Sequence, residues 1–208
     1  MNQIIYGKND LLPPRKNNKY KFLFIIFSSA ACFFIAILFF KLYRNSQNEI
    51  ISQRLKDSYS IATLYSNTVN YTAKQQNNDP FVIGIIKIDK INLNYSILSV
   101  SNNDLLDISV CRFAGPMPNE VGNLCIAGHN YVDYKLFSRL NELEINDEIS
   151  IYDLSGNSIK YEIYDIYETS PNDTSCTFQN TNGEKIVTLI TCNNVNGKRL
   201  VLHAKEIP

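Results

Sequence analysis

The chain has 208 residues, enough for one domain and an anchor. Its 20 lysines and arginines balance 20 aspartates and glutamates, so it lacks the basic excess of a nucleic-acid binder. The five cysteines, Cys32, Cys111, Cys125, Cys176 and Cys192, are odd in number, irregularly spaced and free of any CxxC pair, which argues against a disulfide framework or a tetrahedral zinc site. No metal or other cofactor is expected. Asparagine is abundant throughout, and abundance alone points to no function.

Residues 1–21 form a basic tail, with Lys8, Arg15, Lys16, Lys19 and Lys21 against Asp10. The stretch from Phe22 to Phe40 then carries no charge and is long enough to approach the span of a hydrocarbon core. A cleaved signal peptide is the rival, and Ser28 to Cys32 has a faint likeness to a lipoprotein cleavage site. That site lacks a leading leucine, and eight more apolar residues follow it. The expectation is an uncleaved signal anchor over 22–40, with a cytoplasmic N-terminus and the remainder outside. Residues 41–80 read as a juxtamembrane helix and linker. Ile50, Ile51, Leu55, Tyr59, Ala62 and Tyr65 recur at roughly helical spacing, and Tyr71 to Asp79 is polar.

Residues 81–208 read as an all-β domain. Val82 to Ile88 predicts a strand. After a turn at Asp89-Lys90, Ile91, Leu93, Tyr95 and Ile97 alternate with polar residues, as in a half-buried strand. Asn103 to Ile108 suggests a short helix and Gly115 to Pro118 a loop. Leu124 to Ala127 predicts a strand that leads to His129, with Gly128 freeing the backbone to turn. Leu136, Phe137, Leu140 and Leu143 stand at helical spacing and predict a short covering helix. Glu148 to Leu154 and Ser158 to Glu168 form a hairpin about Ser155-Gly156-Asn157. Ser170 to Glu184 is a polar loop in which Cys176 is expected to be exposed. Cys125 lies in an apolar strand and Cys111 beside one, so both are expected to be buried and inert, although a Cys111–Cys125 bridge is open to them outside a membrane. Many short strands with regular turns suit a closed barrel or a sandwich.

The strand from Ile186 to Ile190 runs into Thr191-Cys192. A turn over 193–198 follows, closed by Asn196-Gly197, and the last strand covers Arg199 to Lys205. If the two strands pair, Cys192 and Arg199 lie opposite each other, with Cβ atoms about 5 Å apart. A guanidinium there favours a thiolate or binds an oxyanion formed beside it. The thiol also needs an acid–base partner. His203 lies four residues beyond Arg199, about 13 Å along the strand, which leaves His129 as the candidate.

Ile126-Ala127-Gly128-His129, then Thr188-Leu189-Ile190-Thr191-Cys192, then Arg199 before a final strand, resembles the sortases, the cysteine transpeptidases of Gram-positive cell surfaces. The resemblance covers about Ile83 to Ala204. It implies an eight-stranded β-barrel with short helices, behind the transmembrane and juxtamembrane helices. It implies that Cys192 attacks the threonyl carbonyl of an LPxTG-like sorting signal, that His129 serves as acid and base, and that Arg199 holds the substrate backbone or oxyanion. Thr191 becomes a candidate substrate contact. The acceptor would be an amine of a peptidoglycan precursor or a pilin lysine. Among subtypes the short loops lean to a compact class D-like enzyme.

Two other readings use the same residues. One is a membrane-anchored β-barrel binding module without catalysis. The other is a thiol redox sensor that pairs Cys192 with Cys176.

Overall fold

The structure, a computed structural model, describes residues 19–65, 80–131 and 133–207. Most of the expected basic tail and the whole of the expected linker Tyr71–Asp79 lie outside the described residues. The described chain divides into two units between Ser46 and Gln47.

Helix α1 spans Lys19–Tyr65 without interruption. Neither glycine nor proline occurs in it, so nothing forces a break between the uncharged stretch and the more polar one that follows. Its N-terminal part is long and apolar enough to cross a membrane by length and composition. Beyond Gln47 the helix is more than a stalk. The Tyr59 hydroxyl donates to the Asp153 carbonyl, Lys56 lies over the Tyr95 ring at 5.3 Å from its centroid, and Lys135 pairs with Glu49 at 2.5 Å.

Eight strands follow: β1 Val82–Ile88, β2 Leu93–Leu98, β3 Val110–Ala114, β4 Gly122–Ala127, β5 Glu148–Asp153, β6 Ser158–Thr169, β7 Lys185–Cys192 and β8 Arg199–Glu206. A one-turn helix, α2 Asn103–Leu106, lies between β2 and β3, and the Asn102 side chain caps it. The strands close into a barrel in the order β1-β2-β3-β4-β7-β8-β6-β5. Closure leaves no strand edge unpaired. Two pairs are parallel, β2 with β3 and β4 with β7.

Alternation along each strand sends one set of side chains into the barrel. Ile86, Ile97, Ile126, Leu189 and Leu202 belong to that core, and each is fully or almost fully buried. On β4, β7 and β8 the other set does not face water throughout. Cys125, Ile190 and Val201 form a second buried cluster on the outer face with Cys176. The segment 170–184 folds over them and covers that face.

Three expectations need correction. Residues 136–143 form no α-helix; there is a 3-10 turn at Leu140–Glu142. Tyr134 and Leu136 have φ of 62° and 51°, a left-handed backbone that ends any helix begun there. The four apolar side chains are buried all the same. Cys176 is buried at 3% exposure, because the covering segment turns it onto the second cluster. Gly128 does not take a left-handed backbone. It is needed for space, since a Cβ there would lie 2.8 Å from the Phe137 ring and 3.0 Å from Val110. In addition, β2 does not keep its alternation, because Ser96 is buried and donates to no partner.

Candidate active site

The parallel pairing of β4 with β7 keeps one offset from Gly122↔Lys185 to Ala127↔Ile190. Beyond the ladder, Thr191 Oγ1 still reaches the Gly128 carbonyl and Asn130 Nδ2 the Cys192 carbonyl, so the backbone on either side of His129 is tied to the end of β7. On the other side Cys192 pairs directly with Arg199, and Arg199 pairs with Thr169 of β6. Cys192 and Arg199 therefore share a rung of β7 and β8, and His129 follows two residues after the end of β4, the strand on the other side of β7. Neighbouring strands lie about 4.8 Å apart. Side-chain parity puts Cys192 and Arg199 on the outer face, in line with Ile190 and Val201. The charge of Arg199 reaches Cys176 and partly offsets the effect of burial, which raises that thiol's pKa.

Cys192 is an exposed free thiol. His129 is about one-third exposed, with Nε2 3.7 Å from an Asp107 carboxylate oxygen. The same carboxylate accepts from the Tyr131 hydroxyl, and the Tyr131 ring stands 5.2 Å from the imidazole. A carboxylate beside an imidazole orients the ring. Sequence reasoning did not find Asp107, since an acid in a loop after a short helix carries no signal of its own. The Thr191 hydroxyl donates to the Gly128 carbonyl at 2.8 Å.

The turn between Cys192 and Arg199 is tightly ordered. The Asn193 amide donates to the Lys198 carbonyl at 2.7 Å, and the Gly197 amide returns to Asn193 at 3.0 Å. Asn193 and Asn196 each accept a backbone amide through their own side-chain oxygens, the local bonding that favours asparagine in turns. Their side-chain nitrogens both donate to Glu168 of β6, which holds that carboxyl below the usual carboxylate range. Next to Cys192 opens a cavity of about 580 Å³ whose lining includes Asn130, Tyr134, Phe137, Thr191 and Leu200 and no charged side chain.

His203 does not join this rung. It pairs with Thr188 on β7 and with Asp165 on β6. Thr188 gives its hydroxyl proton to Asn123 Oδ1 at 2.6 Å, so it accepts from His203 Nδ1 at 2.8 Å. That leaves His203 Nε2 to accept from the Tyr167 hydroxyl at 3.2 Å. Burial lowers the His203 pKa. The Asn123 side-chain nitrogen donates onward to the carbonyls of Cys176 and Phe178, at 2.9 and 3.2 Å, and so fixes the covering segment. Cys111 and Cys125 are buried free thiols whose pKa burial pushes up to about 12.

A family profile described as Sortase domain matches residues 86–207. Among solved structures, the chain is similar to a Clostridium perfringens Sortase D5 transpeptidase, with 31% identity and a TM-score of 0.61, over 76% of this chain and 96% of that one. It is similar to Sortase A from Corynebacterium diphtheriae, with 27% identity, a TM-score of 0.57 and 64% of each chain covered. It is also similar to Streptococcus agalactiae Sortase C1, with 28% identity and a TM-score of 0.54, over 61% of this chain and 68% of that one. No curated protein sequence matches it significantly.

Proposed function

The chain belongs to the sortase family, and from that premise we propose that it is a membrane-anchored cysteine transpeptidase acting on an LPxTG-like sorting signal. The observation that carries this reading is the direct pairing of Cys192 with Arg199 on β7 and β8, with His129 just past the end of the neighbouring β4. The Cys192 thiolate attacks the threonyl carbonyl, and the electron pair of the C–O double bond moves onto oxygen. Arg199 holds that oxyanion or the adjacent substrate backbone with its planar fork of donors. The tetrahedral species collapses, the C–N bond breaks, and His129 gives its proton to the leaving amine. A thioacyl-enzyme remains. An acceptor amine then attacks the thioester, His129 takes its proton, and the thiolate is released. Asp107 orients His129 through these steps. Thr191 offers substrate its hydroxyl oxygen as an acceptor, its proton being given to Gly128.

The acceptor in this reading is an amine of a peptidoglycan precursor or a pilin lysine. Residues 22–40 anchor the chain in the membrane with the N-terminus cytoplasmic, and residues 81–208 form the catalytic domain outside. The first relative described above makes a class D-like enzyme the favoured subtype.

The test is incubation of the full chain, in detergent, with an LPxTG-type peptide, followed by intact mass and peptide mapping. A thioacyl adduct on Cys192, lost by displacement with an added amine, is the expected result. A non-catalytic binding module would hold the peptide without an adduct.

A further inference from the structure

The ladder between β4 and β7 ends at Ala127 and Ile190, yet the two chains stay joined for several residues more. The Gly128 amide donates to the Ile190 carbonyl at 3.1 Å, and Thr191 Oγ1 donates to the Gly128 carbonyl at 2.8 Å. Past that point side-chain amides take over. Asn130 Nδ2 donates to the Cys192 carbonyl at 2.7 Å, and Asn194 Nδ2 donates to the Asn130 carbonyl at 2.7 Å. The carbonyl of His129 itself accepts from the Phe137 amide at 3.0 Å. The backbone on both sides of His129 is thus tied, and two of the ties run to the cysteine and its turn. The far side of that turn is tied to β6 through Glu168.

We propose that Asn130 and Asn194 are positioning residues of the transfer reaction, forming an amide bracket that keeps the His129 backbone level with Cys192. The inference rests on the transpeptidase reading given above. Its physical basis is that β4 and β7 diverge at the active end of the barrel. The chain after His129 turns away into a bridge between Asn130 and Leu136, so the backbone ladder cannot continue there. Asparagine supplies a donor at the right reach to replace the missing rungs. An imidazole that must pass a proton to a group on the neighbouring strand tolerates little displacement, since a 1 Å misplacement costs on the order of 10²-fold in rate.

Asn130→Asp and Asn194→Asp test this, because each is nearly isosteric but turns its donor into a carboxylate oxygen facing a carbonyl. The full chain in detergent is assayed with an LPxTG-type peptide, and Cys192 alkylation by iodoacetamide is followed across pH. The bracket predicts that kcat falls about tenfold or more while KM stays within about twofold and the thermal midpoint is nearly unchanged. It also predicts that the double variant is little worse than the worse single one, and that the alkylation profile of Asn130→Asp moves onto that of His129→Ala. Unchanged kcat in both single variants overturns the proposal, as does a loss of rate matched by a loss of folded protein. If the wild-type chain forms no adduct with peptide yet Asn130→Asp still acquires the His129→Ala alkylation profile, the bracket stands and the peptide-transfer reading falls. If His129→Ala shifts that profile and Asn130→Asp keeps the wild-type one, the bracket is wrong.

Discussion

The outer face of the barrel carries two cysteine rungs, and they have opposite characters. At one end of the barrel Cys192 pairs with Arg199, and His129 follows the end of the neighbouring β4. Four residues down β7, about 13 Å away, Cys125, Thr188 and His203 repeat the pattern on the same three strands. The lower rung is sealed. Cys125 has no exposed surface, and burial pushes its thiol up to about 12. His203 is bonded through both ring nitrogens to neutral hydroxyls, and nothing near it except Asp165 favours its charge. The upper rung has an exposed thiol, an imidazole facing a carboxylate, and a guanidinium as the thiol's direct neighbour. The two differ in residue type, with a threonine between cysteine and histidine below and an arginine beside the thiol above, and they differ in cover. The segment 170–184 closes over the lower rung, whereas Cys192 stays exposed.

The largest test of this contrast exchanges the thiols. Cys192→Ala is expected to abolish peptide cleavage, whereas Cys125→Ala retains the chemistry and loses only stability, since a small buried cavity is left behind. Equal cleavage by Cys192→Ala and the wild type would end the assignment. The histidines give the next effect. His129→Ala is expected to lose about 10²–10⁴-fold in turnover, while His203→Gln keeps turnover per folded molecule; the reverse pattern would show that the sealed rung is the working one.

Arg199→Lys comes third. It preserves the charge and removes the fork, so turnover falls by roughly 10²-fold if the guanidinium holds carbonyl and oxyanion together. Near-normal turnover with a folded circular dichroism spectrum would leave Arg199 a purely electrostatic part.

The smallest effect is on stability. Thr188→Val strands both Asn123 Oδ1 and His203 Nδ1–H, and a buried group left without a partner costs about 1–3 kcal/mol. Chemical denaturation reads that loss. His203 adds a pH signature. Its folded pKa is depressed, so the unfolded chain binds the proton more readily. The stability it contributes is complete above the unfolded value of about 6.5 and is lost as pH falls through the folded one. The difference in unfolding midpoint between the wild type and His203→Gln should therefore shrink on acidification below about pH 6.5, and a constant difference would mean that His203 takes up its proton equally in the folded and unfolded states.

Much of this was legible in the chain, and the unread parts share a cause. β1, the β5–β6 hairpin and the β7–β8 hairpin follow from local apolar runs and their turns, and so does the pairing of Cys192 with Arg199 across a single turn. The approach of the Gly128 backbone to Thr191 depends on parallel pairing between residues 63 apart, which no local pattern encodes. Cys176 looked exposed in a polar segment because its side chain packs onto Cys125, Ile190 and Val201, which are distant in sequence. The expected helix over 136–143 failed because two non-glycine residues adopt positive φ, which spacing alone does not reveal. The abundant asparagines had no evident purpose until five of them, Asn123, Asn130, Asn193, Asn194 and Asn196, were found as ties around the two rungs.

The parallel β4–β7 pair also sets an order of events during synthesis. β4 emerges from the ribosome long before β7, and the intervening residues must first return as the β5–β6 hairpin. Closing so long an excursion is entropically costly and slows folding relative to local contacts. Until β8 has been made, Cys192 has no Arg199 beside it and Thr188 has no His203 against it. The Cys192–Arg199 pair and the sealed rung thus come into being together, when β8 closes the barrel.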